Sequence, residues 1–143
     1  MSTVAGETDL TRLLAAMEPA LNPGDYVFCT AAPGTAVPTG ALGWFREAEG
    51  LTLVLPRATA DAHGFSYDYV AAWLTLTVHS SLAAVGLTAA VAGALAAENI
   101  SCNVVAAYHH DHLFVARADA DRALGALRAL SAAAAIFPAN PDL

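Results

Sequence analysis

The sequence predicts an α+β protein built from two ferredoxin-like units, each a βαββαβ arrangement, that share or exchange strands. Three observations point there. Residues 72–116 alternate in hydrophobicity, turn helical, then alternate twice more, and residues 119–130 form another amphipathic segment, giving the order β-α-β-β-α. The first 70 residues read α-β-β-β-α-β. Each half therefore lacks one edge strand, and the stretch from Tyr69 to His79 is placed to serve both. The expected division is an N-terminal unit over 1–70, a C-terminal unit over 71–135 and a tail over 136–143.

Taken in order, Thr8 or Asp9 can cap a helix whose stripe is Leu10, Leu13, Leu14 and Met17, with Pro19 ending it. Residues 22–25, Asn-Pro-Gly-Asp, read as a turn before a strand over 26–30. Two prolines and two glycines make 31–40 a loop and a candidate mobile tip. Apolar runs at 41–47 and 51–55 around Glu47-Ala48-Glu49-Gly50 read as a hairpin with Gly50 at positive φ. Pro56 ends its second strand, and residues 57–63 make a short helix closed by Gly64.

In 72–79, Ala72, Leu74, Leu76 and Val78 form the buried set, while Trp73, Thr75, Thr77 and His79 face away. Leu87, Val91, Ala94 and Leu95 then fall at helical spacing, closed by Glu98-Asn99. Short strands over 101–107 and 112–116 flank the hairpin Tyr108-His109-His110-Asp111, and Leu124, Leu127 and Leu130 mark the inward side of the last helix. Ile136-Phe137 could add the missing edge strand.

Composition narrows the function. A chain of 143 residues can bury a core unaided. Its net charge of −7, with six basic residues that are all arginine and scattered, excludes a surface tracking phosphates, so no nucleic-acid partner is expected. Polar residues interrupt every apolar run before it reaches membrane-spanning length, and the N-terminus carries neither the basic nor the apolar region of a secretory signal, so no membrane partner and a cytoplasmic location are expected. Cys29 and Cys102 each lie in an apolar β-like run and read as buried free thiols. A chain only 13% charged, with unpaired strand edges, should self-associate through a sheet edge or a helix face.

The runs YVFCT, WFREAEGLTLVLP and DYVAAWLTL resemble the first half of small prokaryotic proteins with tandem ACT domains, and YVAAWLTLTVHSSLAAVGLTAAVAGALAAENISCNVVAAYHHDHLFV resembles their second half. The resemblance runs from Asp9 to Leu130. It implies a regulatory module without catalytic residues or cofactor, similar to the ligand-binding portion of aspartate kinases without the kinase, binding a free amino acid or similar small ligand, and a homodimer. Where such proteins carry an Asp- or Asn-rich ligand turn, this chain has His79-Ser80-Ser81-Leu82.

The residues themselves allow a ligand site where the central strand turns into the helix. Unpaired amides of a helix N-terminus at Gly86, Leu87 and Thr88 favour a carboxylate. Ser80 and Ser81 offer hydroxyls, Asn103 a side-chain carbonyl for an ammonium, and Leu82 and Val85 apolar walls. The plainer reading is a capped helix after a tight turn. Tyr108 to His112 invites a metal, but alternation along a hairpin sends His110 and His112 to one side and His109 and Asp111 to the other, so no metal site is expected; the plainer reading is a polar turn with Asp111 accepting a turn hydrogen bond. Glu47 and Glu49 read as solvated turn charges. No Ser-His-Asp order or phosphate-binding glycine loop is present. The competing readings are a small metal-dependent enzyme centred on the histidine hairpin and a structural interaction protein.

Overall fold

The computed structural model describes residues 9–78 and 81–136. Helix α1 (Leu10–Ala16) opens on Asp9, whose carboxylate accepts from the Arg12 amide at 2.9 Å. Strand β1 (Pro19–Ala31) follows at once, then β2 (Gly43–Arg46), β3 (Leu51–Pro56), α2 (Arg57–His63), β4 (Val70–Leu76), α3 (Leu87–Ala97), β5 (Cys102–Ala106), β6 (Asp111–Ala116) and, after a 3₁₀ turn at Arg117–Asp119, α4 (Ala120–Ile136). The predicted order of elements is thus the observed one.

All strands lie in one six-stranded antiparallel sheet ordered β2-β3-β1-β4-β6-β5. The two ferredoxin-like units are superposed on it. In the first, β2, β3, β1 and β4 stand side by side; in the second, β5, β6, β4 and β1 repeat that arrangement. The sharing expected of the central stretch is real but reciprocal. Strand β4 completes the first unit, and the N-terminal end of β1, Pro19 to Asn22 opposite Leu76 to Trp73, completes the second. Ile136 is not an edge strand but the last residue of α4, and Phe137 lies outside the described residues.

Strand β1 can serve two partners because it is 13 residues long and bulged between Asn22 and Tyr26. The Pro23-Gly24 step, with Gly24 at φ 98°, expected as a turn, is this irregularity inside one strand, held by the Tyr26 hydroxyl donating to the Pro23 carbonyl at 2.7 Å. Beside it Asp25 takes Arg57 at 3.6 Å and Arg117 at 3.1 Å, one arginine from the end of each unit's third strand.

The helices lie on one face. Leu13 and Met17 from α1, Leu87, Val91 and Leu95 from α3, and Ala123 and Leu127 from α4 bury against Ala72, Leu74, Leu76, Leu113 and Val115. Leu124 and Leu130, expected on α4's inward side with Leu127, pack against this core partly buried. A smaller cluster joins Val27, Cys29, Leu53 and Leu55 to Ala60 of α2. Twelve of the largest apolar side chains are sealed below 2% exposure, nine of them Leu, Met or Val of the α3-side cluster, which makes that cluster the main source of hydrophobic stabilisation. Gly64 closes α2 at φ 73° as expected, its amide reaching the Ala60 and Asp61 carbonyls.

One expectation for the first unit changes. Residues 32–42 form a loop, but Val37 and Ala41 pack against the α2-side cluster and Pro38 is buried, so its tip is anchored. Gly50 stands at positive φ, 158°, as expected, and a Cβ there would also sit 2.4 Å from the Ala31 carbonyl oxygen of the neighbouring strand.

Candidate functional site

Leu76 stands opposite Asp111, so the end of β4 and the start of β6 share one end of the sheet, and from there β4 leaves through residues 77–86 to α3. Alternation puts Asp111 on the helix-covered face, in line with Leu113 and Val115, which pack in the cluster that holds Leu87, Val91 and Leu95 of α3. Asp111 is 6% exposed and the only buried charged side chain among the described residues. No hydrogen bond to its carboxylate from the expected turn is found among the described residues; the turn there is closed by the Ala107 amide on the His110 carbonyl, 3.1 Å. Burial pushes its pKa up, against the opposing pull of His112 and His110. Next to it the His110 Nδ1 is buried without a hydrogen-bond partner among the described residues.

Helix α3 begins after residues 77–86, which leave this end of the sheet. Gly86 is its N-cap at φ 98°, a conformation that suits glycine, and having no side chain it leaves the first turn without a side-chain cap. Of the other expected site residues, Ser81 makes a local turn, its Oγ accepting from the Ala83 amide at 3.1 Å. Leu82 and Val85 are exposed at 67% and 83%, Thr88 is exposed, and Leu87 is core and offers only its backbone. Ser80 and His79 lie outside the described residues.

Asn103 does not join this group. It pairs with Phe114 on the face away from the helices, and its Nδ2 donates to the Phe114 carbonyl at 3.4 Å. The reason is the strand period: Cys102 and Val104 pack toward α3, so Asn103 between them cannot. The polar side chain that alternation places on the helix-covered face at this end is Asp111, not Asn103. An internal comparison would have found it. Strand β3 and strand β6 have the same burial order along their lengths, both run into an arginine that meets Asp25, and Leu51 occupies in the first what Asp111 occupies in the second.

His112 points to the opposite, uncovered face, where its Nδ1 accepts from Trp73 Nε1 at 3.0 Å and lies 3.1 Å from Thr75 Oγ1. Burial and the neighbouring His110 lower its pKa, and the Trp73 donor disfavours a proton on Nδ1. His63 belongs to α2, with Nδ1 3.0 Å from the Thr59 carbonyl. Among the described residues no three His, Cys, Asp or Glu side chains converge. Cys29 and Cys102 are free, with burial raising both thiol pKa values; Cys29 is buried and Cys102 half-buried. Glu47 accepts from the Thr52 hydroxyl at the β2–β3 turn. No described helix is long and apolar enough to cross a membrane.

Two ACT-domain models match the chain, one over residues 5–72 and one over 69–129. The chain belongs to the ACT-domain family. A solved protein of unknown function from Vibrio cholerae, described as a possible transport protein, is 46% identical, covering 85% of this chain and 95% of its own with a TM-score of 0.75. The fold is also that of the regulatory subunit of aspartate kinase from Thermus flavus, 9% identical with a TM-score of 0.56 over 79% of this chain and 96% of that one. Aspartokinase III of E. coli, solved in complex with aspartate and ADP, is 14% identical, with a TM-score of 0.56 over 78% of this chain and 32% of that one. No curated protein matches. Two ACT domains in tandem support a regulatory, small-ligand-binding role.

Proposed function

We propose that this ACT-domain protein is a non-catalytic sensing module of the cytoplasm and that its C-terminal unit, residues 71–135, binds a free amino acid at the sheet end where α3 begins. The observation that carries this reading is Asp111: a carboxylate 6% exposed, without a donor among the described residues, at the end of the sheet where the uncapped α3 starts. A buried ionised carboxylate left alone is unfavourable, and a ligand ammonium would satisfy it. The ligand carboxylate would take the α3 first-turn amides at Leu87 and Thr88, where the helix end contributes roughly 1 kcal/mol. The exposed Leu82 and Val85 would close over the ligand side chain. That an aspartokinase of the same fold is solved with aspartate is consistent with an amino-acid ligand.

A melting scan across the twenty amino acids tests this. One of them should raise the melting temperature, by about 2.7 kcal/mol of stability at a hundredfold excess over its Kd. Asp111→Asn should abolish that response while keeping the unliganded fold. If none of the twenty shifts the transition, or if the responsive one shifts Asp111→Asn equally, the reading is wrong. Gly86→Val is a poorer test, because its Cβ would meet Leu10 Cδ2 at 3.1 Å and the backbone is at positive φ, so folding itself would suffer.

A further inference from the structure

Among the described residues only one face of the sheet carries helices. On the other, Tyr26 stands edge-on to Trp73 and Phe28 edge-on to Phe114, with centroids 5.2 Å apart in each pair. Over this floor a groove of about 580 Å³ crosses the sheet from Phe45 on strand β2 to Val105 on strand β5. A volume of this order, with an apolar and aromatic lining and few polar groups, is that of a small-molecule site.

The polar chemistry of the groove is concentrated at one side chain. No lining residue is Asp, Glu, Lys or Arg, and the Thr52 hydroxyl is taken by Glu47. His112 also lines the groove, and two donors meet at its Nδ1: Trp73 Nε1 at 3.0 Å, and the Thr75 hydroxyl at 3.1 Å, which itself accepts from Asn22 Nδ2 at 2.9 Å. The proton of the neutral ring is therefore on Nε2, which makes no hydrogen bond among the described residues. Burial lowers the pKa of the ring, so at neutral pH Nε2 is a donor without charge. It stands one strand in from the β5 edge, and Phe28, Val54, Leu42 and Phe45 carry the lining from there to the β2 edge.

We propose that the groove binds an uncharged single-chain amphiphile, its head-group carbonyl accepting from His112 Nε2 and its alkyl chain lying over Phe114, Phe28 and Val54 toward Phe45. Width selects a chain over a fused-ring body. Spread over five strand spacings, about 24 Å, the 580 Å³ leaves a mean cross-section of about 24 Å², close to that of one extended alkyl chain. Charge selects the head group. A donor requires an acceptor, and a lining without a cation in a chain of net charge −7 favours an amide or ester carbonyl over a carboxylate. The inference is independent of the amino-acid reading, since Asp111 lies on the opposite face.

Titrating wild-type protein with decanamide, below the concentration at which the amide aggregates, should shift tryptophan emission to the blue and saturate at one molecule per chain by calorimetry. Affinity should rise roughly two- to fourfold for each methylene from hexanamide to decanamide, and decanoate at pH 8 should bind at least tenfold more weakly than the amide. His112→Leu and Phe45→Glu should each weaken decanamide binding at least tenfold with far-UV circular dichroism unchanged, whereas Asp111→Asn should bind it as wild type does. Phe45 is 71% exposed, so its variant carries the test if His112→Leu misfolds. No saturation in wild type overturns the proposal. So does affinity that ignores chain length, decanoate binding more tightly than decanamide, or decanamide binding undiminished in folded Phe45→Glu.

Discussion

Strands β3 and β6 are the same piece of architecture used twice. Each has the third strand's burial order, each delivers an arginine to Asp25, and each leads into a helix through an alanine that is buried, Ala60 in one and Ala120 in the other. They differ at their first residue, Leu51 against Asp111, and in what precedes them. The first unit joins its first two strands by the loop 32–42, the second by residues 77–101 with α3 inside. The unit with the apolar residue has no helix end beside it; the unit with α3 has the buried carboxylate. The difference between the halves sits in one side chain and one helix, and the proposed ligand site rests on both.

Exchanging the two residues breaks the comparison most sharply. Leu51→Asp places a carboxylate in an apolar cluster with no helix end to justify it, and should cost more than about 3 kcal/mol, read as lost denaturant midpoint. Gly50→Ala in the same unit should cost about 2 kcal/mol or more, since the Ala31 carbonyl at 2.4 Å from the new Cβ must move; a midpoint within experimental scatter of wild type would mean the β1–β3 approach is looser than described. The reverse exchange goes the other way. Asp111→Leu should stabilise the unliganded protein by roughly 1 kcal/mol while ending ligand response, because it removes a buried carboxylate that no hydrogen bond reaches among the described residues.

Protonation sharpens the contrast further. His112 has a folded pKa below its unfolded 6.5, so on acidification the unfolded chain takes the proton first and stability declines from about pH 6.5 down to the folded value. Asp111 runs opposite: its folded pKa lies above 3.8, its cost is present at neutral pH and is relieved as pH falls through the folded value. Melting temperatures of wild type and His112→Gln should converge at pH 8 relative to their gap near pH 5 once the constant cost of the lost Trp73 bond is subtracted; parallel curves would remove the His112 assignment. The advantage of Asp111→Asn over wild type should shrink toward acid pH. The smallest effect concerns what the units share. Arg57→Ala and Arg117→Ala should each leave the denaturant midpoint close to that of wild type, because both pairs to Asp25 are half-exposed.

How much of this the residues disclosed follows from which physical signal each element carries. Helix α2 was legible to its last residue because Pro56 and Gly64 bracket it, and β4 because a one-sided alternation through Ala72, Leu74 and Leu76 admits one reading. The start of β1 was hidden, since Asn22-Pro23-Gly24-Asp25 has turn chemistry and only pairing with β4 keeps it in a strand. At the site, Gly86 and the α3 N-terminus were visible as a local pattern. Asp111 was not, because the polarity of its histidine neighbours suggested a solvated turn, while its burial comes from α3 and β4, remote in sequence.

The reciprocal lending of strands also governs how the chain is made. Pro19 finds its partner at Leu76 and Val27 at Val70, so the first unit emerging from a ribosome holds a sheet with an open flank until β4 is synthesised, and the second unit cannot close without a strand made before it. With strands lent both ways, neither half should fold on its own. The protein should therefore melt and refold as a single cooperative step, and cutting it between residues 64 and 69 should yield two fragments that are each unfolded alone and recover the native spectrum only when mixed.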